Sequence, residues 1–197
     1  IWFIELMRED GFDPASPEPM GFQLNRILHN RSLWVLSLAA AGIYLPVSVI
    51  GDLWGVSFFG IEAGLPDDQA SLITTLVFIG FAIGSVFAGH WSDRIGRRKV
   101  LFSSGAISAA CVALLLCFTS RLPVNVVVVL VVALGFCAGS QQLAFVMVAD
   151  IAKRHTRAIT LAFVNFVVMF FPVIVQPTVG LLSQSGLPAG TRPSSMQ

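Results

Sequence analysis

The stretch GHWSDRIGRRK, residues 89–99, lies between two long apolar runs and decides how the rest of the chain is interpreted. Basic residues alone would mark any loop that stays in the cytoplasm, because Lys and Arg resist translocation across a membrane. The pattern here is more demanding: Gly89 is followed after three residues by Asp93 and Arg94, and then by Gly96 and further basic residues. The stretch therefore indicates a structured loop between two membrane-spanning helices.

The composition of the chain predicts an integral membrane protein. Hydrophobic residues make up 55% of the 197 residues, charged residues only 12%, and the mean hydropathy is +0.81. A soluble domain typically has about twice that charged fraction. Five stretches are long enough to cross a hydrocarbon core, which needs about 20 apolar residues. The predicted spans cover residues 33–59, 70–91, 100–119, 124–149 and 158–182.

Each span is expected to be an α-helix, because lipid offers the backbone no hydrogen-bond partner and no alternating barrel pattern is present. Residues 124–132 are rich enough in Val to suit a β-strand, but the length of the apolar run that contains them favours a helix. Small residues recur every four positions, as at Gly80 and Gly84 or Gly135 and Gly139, which lets helices approach closely in lipid. The predicted fold class is an all-α membrane protein, a polytopic helical bundle.

The positive charges predict an orientation for this bundle. Three Arg residues precede the first span, four basic residues lie between the second and third spans, and three lie between the fourth and fifth. Only Arg121 and Arg192 fall on the other side. This asymmetry places residues 89–99 in the cytoplasm. The net charge of +1 gives no argument for nucleic-acid binding, since topology already accounts for the basic residues.

Residues 89–99 resemble the signature loop of the major facilitator superfamily, which joins the second and third helices of each half of these transporters. The family pattern is Gly, three residues, Asp-Arg, one residue, Gly and two basic residues, and every position is filled here. Trp91 is the one departure, since an aliphatic residue is commoner there. The resemblance implies five transmembrane helices of a six-helix superfamily half.

The resemblance also implies a gate on the cytoplasmic side. Asp150 and Arg157, seven residues apart, resemble an acidic-to-Arg element that closes this side in sugar porters together with the signature loop. On this comparison Asp93 accepts hydrogen bonds from the first turn of the fifth helix, and Arg97 pairs with Asp150. The alternative is a set of solvated charges worth about 0–1 kcal/mol per pair. The predicted gating residues are Gly89, Asp93, Arg94, Gly96, Arg97, Arg98, Asp150 and Arg157.

Polar residues inside the spans are the candidates for a substrate path. Asn165 and Gln176 share one helical face with Pro172, and Pro172 and Pro177 are expected to interrupt the helix. The alternative is that these polar groups bond to neighbouring helices and contact no solute. The predicted substrate-binding residues are Tyr44, Gln141, Gln142, Asn165 and Gln176.

Asp52 is an acid within the first span, and it is a candidate carrier of a coupling proton. The competing interpretation is an interfacial acid, because Trp34 and Trp54 are expected to mark the two ends of that span. Pro46 is expected to kink the same helix. His90, at the end of the second span, is a weaker candidate for proton coupling.

Nothing in the sequence predicts a cofactor, a metal site or catalysis. Cys111, Cys117 and Cys137 all lie in spans, where they suit packing better than disulfide bonding, and no Cys or His cluster has the spacing of metal ligands. No nucleophile elbow, zinc-protease motif or phosphate-binding loop is present. The protein is therefore expected not to be an enzyme.

The order of segments predicts the C-terminal half of a transporter. Residues 1–7 would be the tail of a preceding transmembrane helix, residues 8–32 a cytoplasmic connector without apolar periodicity, and residues 33–185 the five-helix unit. Residues 186–197 would be an extracytoplasmic loop leading to a missing helix. An N-terminal half fits the signature equally well but leaves residues 1–7 unexplained. A weaker likeness suggests a bacterial member in the inner membrane.

The predicted function is secondary active transport of a small polar or organic solute by alternating access, as a symporter or related permease. The expected partners are the lipid bilayer, the solute, a coupling proton and the missing N-terminal half of the same transporter, with no nucleic acid. One alternative is a transport-incompetent membrane sensor or scaffold that keeps the bundle and the signature. A channel is a weaker alternative, because a rocking gate has no role in a static pore.

Overall fold

The computed structural model describes residues 20–118, 123–153 and 156–186, and every regular element in these ranges is helical. The predicted all-α membrane bundle is thereby confirmed. The α-helices of these ranges are α1 (Met20–Leu28), α2 (Arg31–Ser48), α3 (Gly55–Ala63), α4 (Asp67–Ile95), α5 (Arg98–Phe118), α6 (Val124–Ala138), α7 (Gln142–Ile151) and α8 (Arg157–Gly186).

Within the described residues, five helical stretches are long and apolar enough to cross a membrane. Span 3 is α5 and span 5 is α8, whereas spans 1 and 4 are each built from two helices joined by a short irregular helical segment. The β-branched run that opens span 4 is helical, because in lipid only internal bonding satisfies the backbone. Spans 1 to 5 cover Arg31–Ile61, Asp67–Ile95, Arg98–Leu115, Val124–Ile151 and Arg157–Thr178.

Span 1 contains a π-helical segment, Val49–Trp54, between α2 and α3. Pro46 lies inside α2 just before it and has no backbone N–H to donate. The kink expected at Pro46 therefore takes the form of a widened turn a few residues later, which is a known cause of helix distortion. The interruption predicted for span 5 is wrong, since α8 runs unbroken through Pro172 and Pro177.

Span 4 contains a short 3-10 turn, Gly139–Gln141, between α6 and α7. Spans 2 and 4 form the most extensive helix pair; within span 1, α2 packs mainly on span 5 and α3 on span 2. A side chain at Gly84 would overlap the carbonyl oxygen of Phe136, and one at Gly135 would overlap that of Val77. The predicted close approach of helices at small residues is confirmed for this pair.

Helix α1 lies within the segment predicted to be a connector without periodicity. Gln23 and Ile27, four residues apart, form its buried face. The pattern of apolar residues did not reveal this helix, because Gln23, one of its two buried residues, is polar. Asn30 then caps α2, since its side-chain oxygen accepts the backbone N–H groups of Ser32 and Leu33 at 3.0 and 3.4 Å.

Side chains divide the bundle into a packed interior and an apolar exterior. Residues such as Ala40, Val47, Val131, Leu134 and Val164 are fully buried between helices. Large aliphatic side chains point outward on several spans, as a surface in contact with hydrocarbon requires. Examples of these exposed residues are Leu72, Val86, Ile107, Val129 and Val173.

Candidate functional site

Arg98 joins two carboxylates that come from different parts of the bundle. Its Nη1 donates a hydrogen bond to Asp150 Oδ2, and its Nη2 lies 3.6 Å from Asp93 Oδ1. Asp93 is in the last turn of α4, Arg98 is the first residue of α5, and Asp150 is near the end of α7. The loop between spans 2 and 3 is thus tied to the end of span 4. We call this ion cluster, Asp93, Arg98 and Asp150, the signature cluster.

Gly96 creates the turn that brings these residues together. Its φ of 67° is left-handed, a conformation that glycine adopts without steric cost. Its backbone N–H donates to the Ser92 carbonyl at 2.9 Å, which closes the end of α4. The chain then reverses and starts α5 two residues later. The second glycine of the signature is therefore needed for backbone geometry.

The structure corrects the predicted partner of Asp150, which is Arg98 rather than Arg97. The Arg97 carbonyl accepts the N–H groups of Val100 and Leu101 at 3.1 and 3.2 Å, so Arg97 caps α5 instead of lying within it. Adjacent helical positions point about 100° apart. The side chain of Arg97 is exposed, and Arg98 faces the carboxylates.

Asp93 was predicted to cap the fifth helix, but its ion pair in the structure is with Arg98. Arg94 and Arg157 are exposed, and neither pairs with an acid within residues 20–118, 123–153 and 156–186. A side chain at Gly89 would meet no atom within 4 Å, so packing in this conformation does not require a glycine there. The predicted gating residues therefore divide into a bonded cluster and exposed neighbours.

The members of the signature cluster remain in contact with solvent. The exposed fractions of their side chains are 75% for Asp93, 31% for Arg98 and 57% for Asp150. Exposed ion pairs of this kind contribute about 0–1 kcal/mol each, because water and salt screen them. The cluster can therefore break and reform at little cost.

A second polar cluster links spans 1 and 5. The side-chain amide of Gln176 donates from Nε2 to Ser48 Oγ at 2.9 Å, and Ser48 Oγ donates to Asp52 Oδ2 at 2.7 Å. We call these three residues the amide–carboxylate chain. Sequence reasoning identified Asp52 and Gln176 but missed Ser48. Ser48 lies four residues after Tyr44 and four before Asp52, a helical spacing that would have revealed it.

The other predicted substrate-binding residues occupy different environments. Tyr44 is half-buried, with its ring 5.8 Å from that of Phe81 at an interplanar angle of 69°. Gln141 is only 2% exposed, inside the 3-10 turn, and a solute cannot reach it in this conformation. Gln142 and Asn165 are exposed.

The described residues contain no group of three or more His, Cys, Asp or Glu side chains placed to hold a metal ion. Cys111 is exposed and Cys137 is half-buried, and both are free thiols. The side chain of Cys117 lies outside the described residues.

The five long apolar helices in the described part of the chain indicate an integral membrane protein. Residues 33–190 match the family profile of the Major Facilitator Superfamily. The chain therefore belongs to this superfamily.

Two vertebrate proteins show what the chain is similar to. One is the SVOPL protein of Danio rerio, whose name assigns it provisionally to transporters; it is 29% identical over 114 residues, or 58% of this chain and 22% of that protein. The other is solute carrier family 22 member 4 of Mus musculus, 30% identical over 93 residues, or 47% of this chain and 16% of that protein. The matched part of this chain thus covers less than a quarter of either relative. No solved structure matches the chain.

Proposed function

We propose that this chain is part of a secondary active transporter that moves a small polar or organic solute by alternating access. The observation that carries the proposal is the contact of Arg98 with Asp93 and Asp150. This contact fastens three spans to one another at the end of the bundle that carries the signature loop. We call that end the signature end, and the opposite one the far end.

The signature cluster would hold one of two conformations. Its ion pairs form when the signature end is closed and separate when that end opens, so their strength biases the equilibrium between the two states. Since the pairs are exposed, each changes the balance by about 1 kcal/mol or less. A bias of that size is large enough to set the resting state and small enough for solute binding to overcome.

The solute path would run between the signature cluster and the amide–carboxylate chain. Gln142 and Asn165 are exposed on spans 4 and 5. Gln176 belongs to the amide–carboxylate chain, and Tyr44 lies one helical turn before Ser48 of that chain. Gln141 would contact solute only after span 4 shifts at its 3-10 turn. The bilayer and a second helical half of the same transporter complete the expected partners. Asp52 could instead carry a coupling proton, which would make the protein a symporter.

The names of the two relatives, a provisional transporter and a solute carrier, support transport as the general activity. We also propose that the chain is the C-terminal half of the transporter and that its signature loop lies in the cytoplasm. The bacterial origin and inner-membrane location predicted from sequence gain no support, because both relatives are vertebrate.

The proposal is tested by uptake into proteoliposomes that contain the protein at its full natural length. Labelled amino acids, sugars and organic acids are supplied with and without an imposed pH gradient. Saturable uptake that Asp93→Asn strongly reduces, in a variant that remains folded, is the expected result. Asp68→Asn, at an exposed acid outside the signature cluster, is the matched control and leaves uptake unchanged.

Two results would count against the proposal. Uptake that is insensitive to Asp93→Asn would contradict a gate formed by the signature cluster. No uptake of any compound, together with thermal stabilisation by one of them, would contradict transport and favour the alternative of a ligand sensor or scaffold.

A further inference from the structure

Asp52 is the only Asp, Glu, Lys or Arg residue inside the five predicted spans. It lies in the π-helical segment of span 1, and nine further residues of the span follow it to Ile61. An ionised side chain on a membrane-spanning helix is costly in lipid, so it faces the interior of a bundle or water. Asp52 is exposed in the structure, so a solute could reach its carboxyl group.

The amide–carboxylate chain fixes the position of the Asp52 carboxyl group. An amide nitrogen can only donate, so Gln176 Nε2 occupies an acceptor site of the Ser48 hydroxyl. The hydroxyl proton of Ser48 is then directed at Asp52 Oδ2. Hydrogen bonds in such a chain polarise one another, so each strengthens the other. The bond from Ser48 thus occupies Oδ2 of Asp52, and the second oxygen, Oδ1, is left to accept from a ligand.

Tyr44 extends this site along the same helix face. Tyr44, Ser48 and Asp52 follow one another at four-residue steps, so they form one strip about 12 Å long. The strip runs from the middle of span 1 toward the far end. A carboxylate binds an ammonium group through an ion pair, and an aromatic ring further along the strip can pack on the apolar part of the same amine.

We propose that Asp52, Ser48 and Tyr44 form a recognition site for the positively charged amino group of an organic solute. The carboxylate binds the ammonium group, Ser48 and Gln176 hold the carboxylate in place, and Tyr44 contacts the carbon skeleton. Described as a transport substrate, this amine rests on the function proposed above. The site itself requires only that the far end admit the solute.

The experiment measures binding of matched amines and alcohols to the purified full-length protein. The probes are butylamine, phenethylamine and tyramine, and their neutral counterparts butanol, 2-phenylethanol and tyrosol. Thermal stabilisation is recorded over a concentration series, and a labelled amine is used for competition. The amines are expected to stabilise the protein and to compete, while each alcohol binds at least about tenfold more weakly, because it lacks the charge.

Variants locate the site. Asp52→Asn is expected to weaken amine binding about tenfold or more, and Ser48→Ala about fivefold, since one hydrogen bond to the carboxylate is lost. Asp52→Glu keeps the charge and is expected to retain part of the affinity, which covers a failure of the Asn variant to fold. Asp67→Asn and Asp68→Asn, at exposed acids outside the apolar core, serve as controls without effect.

The outcomes separate this site from the transport proposal. Equal binding of amines and alcohols, or amine binding unchanged in Asp52→Asn, overturns the ammonium site even if other solutes are transported. Loss of pH-gradient-driven uptake in Asp52→Asn with amine binding intact also overturns it and assigns Asp52 to a coupling proton. Amine binding that depends on Asp52, without any uptake, supports the site and contradicts transport.

Discussion

Two glycines of the signature loop, Gly89 and Gly96, have different structural roles. Gly96 has a left-handed backbone that closes α4, whereas Gly89 is an ordinary helical residue with open space beside it. The sequence pattern gives the two positions equal weight. The structure shows that only Gly96 is needed to build the loop in this conformation.

Gly96→Ala is expected to destabilise the protein by about 1 kcal/mol, because a Cβ in the left-handed region is strained. Gly89→Ala is expected to be neutral or slightly stabilising, since alanine favours a helix. Thermal unfolding in detergent measures both. Equal losses of stability in the two variants would contradict the assigned roles. If Gly89→Ala reduced uptake without loss of stability, Gly89 would be required in the other conformation.

Arg98→Gln is expected to shift the protein toward a state open at the signature end, because both ion pairs are lost. The shift is about fivefold or less for each pair, given the solvent exposure of the cluster. Arg97→Gln is the matched control, since Arg97 is a neighbouring cation with an exposed side chain. The initial rate of uptake in proteoliposomes measures the effect. A larger effect from Arg97→Gln than from Arg98→Gln would refute the pairing seen in the structure.

The sequence could identify the charged residues at the signature end but not their pairing. Spacing is enough to single out Asp93 and Asp150, and both are in the cluster. The resemblance to the superfamily implies Arg97 as the partner, however, and spacing could not correct this because it does not show where a helix begins. That boundary depends on the turn at Gly96, and a shift of one residue rotates a side chain by about 100°.

At the scale of helices, spans 2 and 4 depend on glycine for their close contact. Gly84→Ala is expected to destabilise the protein by about 1–3 kcal/mol, because the added methyl overlaps the backbone of span 4 at Phe136. Gly42→Ala is the matched control: Gly42 is helical with no atom within 4 Å, and the change is expected to stabilise by about 0.4–1 kcal/mol. Thermal unfolding of the two variants should therefore change in opposite directions. A Gly84→Ala variant of unchanged stability would contradict the close contact between these spans.

Hydropathy predicted which stretches form helices, because the bilayer allows almost no other spanning structure. It could not predict their irregularities. Pro172 and Pro177 leave α8 continuous, while the distortion of span 1 falls at Val49–Trp54, after a single proline. Neighbouring helices decide whether the hydrogen bonds lost at a proline bend a helix. The contact of Gln176 with Ser48 joins span 5 to span 1, and spacing along one helix could not predict such a contact.

At the scale of the whole molecule, the distribution of basic residues predicts the side on which each end of the bundle lies. The test introduces one cysteine at a time, at Lys99 or at Asp68, after replacement of Cys111, Cys117 and Cys137 by alanine. Both introduced sites are exposed in the structure. In intact cells, a membrane-impermeant maleimide is expected to label the cysteine at position 68 and not the one at position 99. The reverse pattern would invert the orientation.

The central claim is that the signature cluster controls an alternation between the two ends of the bundle. The most direct measurement is the alkylation rate of single cysteines at Gln142, on the signature side, and at Gln176, on the far side, in the same background of replaced native cysteines. Introducing Arg98→Gln is expected to raise the rate at position 142 severalfold and to lower it at position 176, because opening one end closes the other. Rates that both rise, or that do not respond to Arg98→Gln, would contradict alternating access gated by Asp93, Arg98 and Asp150.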